Sequence, residues 1–491
     1  MPVNSKHKSY TAMSAKWRRC RDVAAGQDSV YQAGALYLPK LKEQSETDYK
    51  AYQQRTSFYN ASFRTIVGLV GMLFRKPPKI EVPESITELL KNVDGAGEPF
   101  QLFVQDICEN TLTVGRVGVL VDYPAAPADA TQADAQRLNL RPTMQLYTTE
   151  NIINWKTGNV NNQTVLTMVV LQECVDVVID EFECKEEERW RVLDLVDVAA
   201  TETSVEGKKY RQRVFKRRSD ADAQIPGAEQ FIQDGDDIFP TMNNAAMSFS
   251  PFVIMGTDDV SVDVDDPPLI DLVDVNLSHY RTTADYSHGC HFTGLPTLFL
   301  AGFKKENPDD KIYIGSEAAI VTSNENAKAQ FVEIKGEFLA LEKKLDREEK
   351  QMAVLGARML EPQIRGVESA DAAAIHRKGE ESVLSSMAQA ISLGVSCALR
   401  WFVEWAGMDA SGVVFELNRD FYPAPLSSQM LTALLMAWQQ GGLSDQELFD
   451  NMKAGEVIAQ DVTIEDHQAQ IADRQLQLAD QQAAAMLAQQ Q

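Results

Sequence analysis

The side chains best suited to chemistry lie close together: His288, Cys290 and His291 in "SHGCHF", with His279 about two and a half helical turns earlier. Imidazole and thiolate are the common zinc donors, but a structural zinc needs four ligands in paired spacings, and here the second pair is missing. The cluster therefore reads as a turn whose His and Cys pack locally. "DDVSVDVDDPPLIDLVD", 258–274, holds seven acidic residues and no basic one, yet it lacks the glycine and terminal glutamate of a calcium-binding EF-hand loop. It reads as a solvated acidic linker. "CKEEERWR", 184–191, reads as an exposed hairpin edge, where charge discourages strand pairing. "FRKPP" offers two basic residues, too few for a DNA site. No Walker A pattern, GxGxxG opening a helix after a strand, GxSxG or HExxH occurs, so no catalytic residue, no metal ligand and no cofactor is expected.

Composition sets the class. At 491 residues, 44% hydrophobic and 24% charged, the chain has room for several domains with a sizeable core. Its formal net charge of −24 has the wrong sign for a protein that grips nucleic acid, which needs Lys and Arg to displace phosphate counterions. The same charge suits a wall past which DNA moves without sticking. The N-terminal "MPVNSKHKSYTAMSAKWRRC" lacks the apolar region of a signal peptide, and no run of about 18 uncharged apolar residues appears. A soluble, cytoplasmic protein with no membrane partner is the expectation. The six scattered cysteines suit reduced thiols.

The elements that must position these residues follow from periodicity and punctuation. One helix is predicted over 46–74, stopped by "RKPPKIEVP", then a helix over 99–113 and a buried strand in "GRVGVLVDYP". From about 143 to 255, short β-branched runs predict an antiparallel sheet with hairpin turns such as "VEGKK". Pro267 and Pro268 fit the first turn of a helix capped by Asp265 or Asp266 and running to about Tyr286. A β-rich insertion of about fifty residues comes next. A further helix is predicted from 370, capped by Ser369, to about 406, then a strand in "GVVFELNRDFYPAP" and two short helices. The second of those opens on a capping box of Ser444 and Glu447, and an Ala/Gln-rich helix or disordered tail ends the chain. The fold class is α+β.

Between the insertion and residue 360 lies "FLALEKKLDREEKQMAVLGARML". Phe338, Leu341, Leu345, Met352, Leu355 and Met359 recur at steps of three, four or seven and form an apolar stripe on a charged rod. Two long helices flanking a small β module cannot cover all their faces alone, so neighbouring copies in a closed ring are expected to cover this stripe. Glu348, on the stripe, predicts a partly wet seam between subunits.

This order of parts resembles the bacteriophage portal, or head-to-tail connector, family. The resemblance spans essentially the whole chain and is carried by "YKAYQQRTSFYN", "TIVGLVGMLFRKPP", "PPLIDLVDVNLSHYRTTADYSHGCHFTGLPT" and "VESADAAAIHRKGEESVLSSMAQAI". It implies a wing over 1–265, a first stem helix over 266–288, a clip over 289–337, a second stem helix over 338–360 and a tunnel loop over 361–376. A long helix and return strand of the wing would occupy 377–424, and a helical crown with the C-terminal tail 425–491.

The resemblance further implies a ring, dodecameric in that family, at one capsid vertex of the virion, assembled in the host cytoplasm. Its partners there are the terminase large subunit, the head-tail adaptor, the major capsid and scaffolding proteins, and double-stranded DNA passing through the channel without sequence specificity. No catalysis is implied; the ATPase belongs to the terminase. Gln363, Arg365, Glu368 and Asp371 become tunnel-loop candidates, and Lys343, Lys344, Arg347 and Lys350 stem candidates for transient phosphate contact. Salt bridges between subunits are an equal reading of those stem charges. The rival readings are a monomeric adaptor or scaffold, which would leave apolar helix faces exposed, and a DNA-processing enzyme whose scattered carboxylates converge in space.

Overall fold

The apolar run that ends at Pro124 has a strand on each edge and is buried on both faces, which is why it carries almost no polar residue. In a computed structural model, describing residues 2–124, 137–160, 162–198, 207–218, 230–243, 245–294, 297–303, 324–332, 338–357, 382–421, 426, 428–459 and 462–489, it is strand β2 (Val117–Asp122). β2 lies between β3 (Thr143–Thr148) and β11 (Phe252–Met255), antiparallel to both, with Val119 opposite Leu146 and Val253. Helix α8 (Val383–Trp405) packs on this sheet so closely that a Cβ on Gly394 would overlap Met255. By length and composition α8 could cross a bilayer. Its Leu384, Met387, Ile391, Val395, Leu399 and Phe402 are instead buried in the protein core.

Around this core stand α1 (Lys8–Ala25), α2 (Gln27–Ala33), α3 (Glu46–Gln54), α4 (Ala61–Leu73) and α5 (Phe100–Val114). The single helix expected over 46–74 is thus two: the Asn60 side chain accepts from the Phe63 N–H and starts α4 afresh. β1 (Lys79–Glu81) pairs with β14 (Val414–Glu416). Arg75 and Lys76 of "FRKPP" are held by Asp420 and Glu456, with Lys76 Nζ 2.7 Å from Asp420.

A second antiparallel sheet runs β4 (Ile152–Val160), β5 (Gln163–Val178), β6 (Cys184–Val198), β7 (Gly207–Arg217) and β8 (Phe231–Gln233). A buried charged network ties it to the first sheet. Arg191 of β6 donates to Glu173 at 2.6 Å, Tyr147 of β3 donates to Glu173 at 2.5 Å, and Gln212 of β7 donates to Asp122 of β2 at 3.0 Å. Burial holds the Asp122 carboxyl above the usual carboxylate range, against the hydrogen bond from Gln212 and the Arg191 charge. A small hairpin, β9 (Thr241–Met242) with β10 (Ala245–Ala246), lies before β11.

Helix α6 (Ile270–Gly294) begins in this body and leaves it. Pro267 and Pro268 lie just before the helix rather than in its first turn, and the Pro267 carbonyl accepts from the Ile270 N–H. At its far end, α6 passes the predicted stop at Tyr286 because nothing in "SHGCHFTG" breaks a helix until the region of Pro296. β12 (Thr297–Ala301) and β13 (Lys328–Val332) form an antiparallel pair, and α7 (Leu339–Ala357) returns along α6. The described part of the next helix starts at Val383, capped by Ser382, whose hydroxyl accepts from the Ser385 N–H. The cap expected at Ser369, and the turns from 370, lie outside the described residues. The chain ends with α9 (Ser428–Gln439), α10 (Asp445–Ala454) and α11 (Ile464–Gln489), α10 opening on the Ser444/Glu447 capping box. Gly441 makes the α9–α10 turn in the left-handed region at φ 73°.

One fully buried amide sets where α6 stands. Asn276 accepts from the Ser62 N–H and hydroxyl at 3.1 and 3.0 Å and donates to the Tyr59 carbonyl at 2.7 Å. Asn276→Ala strands those groups at the start of α4, so urea denaturation is expected to show a loss of about 2–4 kcal/mol.

Candidate functional site

The α6–α7 projection brings together most of the stem residues singled out in the sequence. The two helices run antiparallel: Phe338 meets Gly289, Tyr286 donates to Glu342 at 2.9 Å, and Ser278 donates to Glu348 at 2.6 Å. A side chain at Gly289 would strike the Phe338 ring 2.7 Å from its Cβ, so glycine permits this approach.

The apolar stripe is therefore spent in part within the chain. Met352 is in the core, Leu355 packs against it, and Phe338, Leu341 and Leu345 are half-buried. Glu348 is buried too, facing Ser278 and 3.6 Å from Lys344. Within one copy α6 covers part of the stripe, and the half-buried Phe338, Leu341, Leu345 and Leu355 keep area open to a neighbouring copy, while Glu348 meets Ser278 of its own chain. Period alone shows that a face is apolar, and here α6 is near enough to cover part of it. Met359 lies outside the described residues, as do Gln363, Arg365, Glu368, Asp371 and the rest of 361–376.

On the outward face of α7 the charges divide. Lys344 is paired with Glu348, whereas Lys343, Arg347 and Lys350 are exposed and make no ion pair with any described residue. Spaced by four and then three, they share one side of the helix. With Val275, Val354 and Leu355 they line a groove of about 660 Å³ that also takes in Asp346 and Gln351. In a chain of net charge −24, this is a basic surface with an apolar floor.

The His/Cys cluster sits on α6 and not in a turn. His288 meets Tyr52 and Phe292 edge-on, at 5.0 and 4.6 Å between ring centres, while Cys290 is exposed. Burial, then the Arg55 charge, lowers the His288 pKa. Among the described residues no three His, Cys, Asp or Glu side chains gather as a metal site. His279 is buried, its Nε2 3.6 Å from Glu349.

The acidic run 258–274 covers a residue that motif reading passed over. Arg116, 1% exposed, stacks 4.1 Å over the Trp155 ring and donates to the Val262 carbonyl at 3.2 Å. Burial pulls its pKa down to about 10, and Asp263 and Asp265 push against that fall. The run is thus a lid on a buried cation, its Asp266 paired with Lys16 and its Asp274 3.2 Å from Arg19. Burial first, then the charges of Asp258, Asp259, Asp263 and Asp266, raise the Asp265 pKa. No motif scan isolates Arg116; a lone arginine between a helix C-terminus and an apolar strand is the only signal.

A family model described as "Domain of unknown function (DUF4055)" matches residues 268–406, from the start of α6 to the end of α8. No curated protein matches the chain. Among solved structures, a chain from the "neck of empty GTA particle computed with C6 symmetry" aligns at TM-score 0.36 and 11% identity, over 86% of this chain and 97% of that one. One from the "neck of native GTA particle computed with C12 symmetry" aligns at 0.33 and 10%, over 83% and 93%. One from the "virion of native gene transfer agent (GTA) particle" aligns at 0.34 and 10%, over 86% and 97%. Likeness at this level carries no functional conclusion.

Two stability predictions follow from the site. Ser278→Ala leaves the buried Glu348 carboxylate without its hydroxyl donor and is expected to cost about 1–3 kcal/mol in urea denaturation. Adding Glu348→Met removes the second partner and restores most of that loss. For Asp265 the folded pKa is raised, so its favourable contribution is full below the unfolded value of 3.8 and is lost as pH rises through the folded value. Asp265→Asn is therefore expected to be the more stable protein at neutral pH, with the difference shrinking in melting curves as pH falls toward 3.8.

Proposed function

We propose that the chain is the subunit of a ring-forming phage portal, the head-to-tail connector that nucleates head assembly and conducts double-stranded DNA into and out of a capsid. The observation that carries this reading is the α6–β12/β13–α7 projection. Two long antiparallel helices, rooted in an α+β body at Asn276, end in a small β pair, in the order wing, stem, clip, stem that the sequence resemblance implies. The later order of a long core helix, a return strand and a helical end supports the same assignment.

In this reading the α+β body is the wing, α6 and α7 are the stem, β12 and β13 belong to the clip, and α9 to α11 belong to the crown. The clip would dock the packaging terminase and later the head-tail adaptor, and the body would contact the capsid and scaffolding proteins. The acidic balance favours a conduit that repels its cargo over one that holds it. Gln363, Arg365, Glu368 and Asp371 are proposed to line the channel. The chain's work is structural, with chemical energy supplied by a partner ATPase.

Purified protein measured by light scattering and negative-stain imaging is expected to contain a large species that appears as a ring with a central hole. A protein that remains monomeric from micromolar to the highest soluble concentration would overturn the proposal.

A further inference from the structure

Two surfaces match in chemistry and are both left open by the other described residues. The first is an arm. β4 accompanies β5 only as far as Leu171, and β7 accompanies β6 only from Arg189, so among the described residues the pairs from Cys174↔Glu188 to Val178↔Cys184 have only each other. At ~3.4 Å per residue these five pairs carry the tip roughly 17 Å beyond the sheet. The tip is ordered by its own hydrogen bonds: the Asp180 carboxylate accepts from the Phe182 and Glu183 N–H groups at 2.8 and 2.9 Å. That turn holds Phe182 outward at 91% exposure, beside Val178 at 70% and Ile179 at 56%. Around these apolar groups stand Asp176, Glu181, Glu183 and Glu186, all exposed, against the single cation Lys185.

The second surface is the α7 groove, with an apolar floor of Val275, Val354 and Leu355 and the unpaired rim of Lys343, Arg347 and Lys350. An apolar tip in an acidic collar and an apolar groove with a basic rim are complementary in both hydrophobicity and charge. The floor also bears on the alternative of bound phosphate, since a DNA backbone has nothing to place against two valines and a leucine.

We infer that the β5–β6 arm of one copy docks in the α7 groove of the next, Phe182 entering the groove and its acidic collar meeting the rim. Because the two patches differ, the contact is head-to-tail, the kind that closes into a ring when the rotation allows. The inference rests on the ring reading above and assigns Lys343, Arg347 and Lys350 to the subunit contact instead of the channel.

The test uses full-length protein and mass photometry. Reversing the rim (Lys343→Glu, Arg347→Glu, Lys350→Glu) or the collar (Glu181→Lys, Glu183→Lys, Glu186→Lys) is expected to weaken assembly by about tenfold, the scale of a few rim ion pairs acting together. Combining both sets is expected to recover most of it, an outcome that misfolding of either variant alone would not give. A photocrosslinking residue in place of Phe182 is expected to capture α7 of another copy. Rings that form normally with the rim reversed, or that crosslink residue 182 elsewhere, overturn this contact and leave the ring reading standing. Wild-type protein that stays monomeric overturns both.

Discussion

The projecting part of this protein depends on how one helix, α6, is anchored. Asn276 is a buried point of attachment: its amide accepts from the Ser62 N–H and hydroxyl at the start of α4 and donates to the Tyr59 carbonyl beside them. Those backbone groups have no water to turn to, so the helix cannot slide or rotate without stranding them. The direction in which α6 leaves the body, and with it the position of β12, β13 and α7, is fixed by these bonds together with Arg281 donating to the Tyr37 carbonyl, Tyr52 donating to Asp285 and the Arg19–Asp274 pair. A buried hydrophobic contact would tolerate a shift of one side chain; a fully committed amide does not.

The chain shows a consistent treatment of charge. Acidic residues exceed basic ones by 24, yet the buried ions each have some compensation: Arg191 from Glu173, Glu348 at one oxygen from Ser278 and Lys344, Arg116 from an aromatic ring and a carbonyl under an acidic lid. Compensation of this kind costs desolvation, so its yield is a defined arrangement more than stability. The cations of the α7 groove depart from the pattern. They are exposed and make no ion pair with any described residue, on a protein whose field attracts cations to acids.

Much of this fold was legible in the sequence because local chemistry decided it. The Ser444/Glu447 box, the buried run of β2 and the antiparallel strands between 143 and 255 are local signals, and the structure has them. The misreadings share a cause. Asn60 splits the helix expected over 46–74 because its side chain competes for a backbone N–H, and α6 outruns Tyr286 because polar residues alone do not end a helix. The stripe on α7 was visible, but its neighbour was not: periodicity identifies an apolar face and is silent about what covers it. Glu348 looked like a flaw in that stripe because its partner, Ser278, lies seventy positions earlier in the chain. Arg116 and Asn276 were passed over for the same reason, since their importance lies in contacts of high sequence separation.

The unbroken course of α6 has a mechanical meaning. At 25 residues it is a rod of about 37 Å, with its buried residues between Leu272 and Ala284 and its far end leading to β12. A continuous backbone hydrogen-bond ladder is stiff along its axis, so a pull or push applied at β12 and β13 is delivered, with little lost to bending, to the contacts that root α6: Asp285 with Tyr52, Arg281 with the Tyr37 carbonyl, and Asn276 with α4. α7, strapped alongside by Ser278–Glu348 and Tyr286–Glu342, turns the rod into a two-member strut that resists buckling. Force at the tip is thereby converted into load on those contacts, and the outer β pair behaves as the handle of a lever whose fulcrum is the row of polar contacts along the inner part of α6.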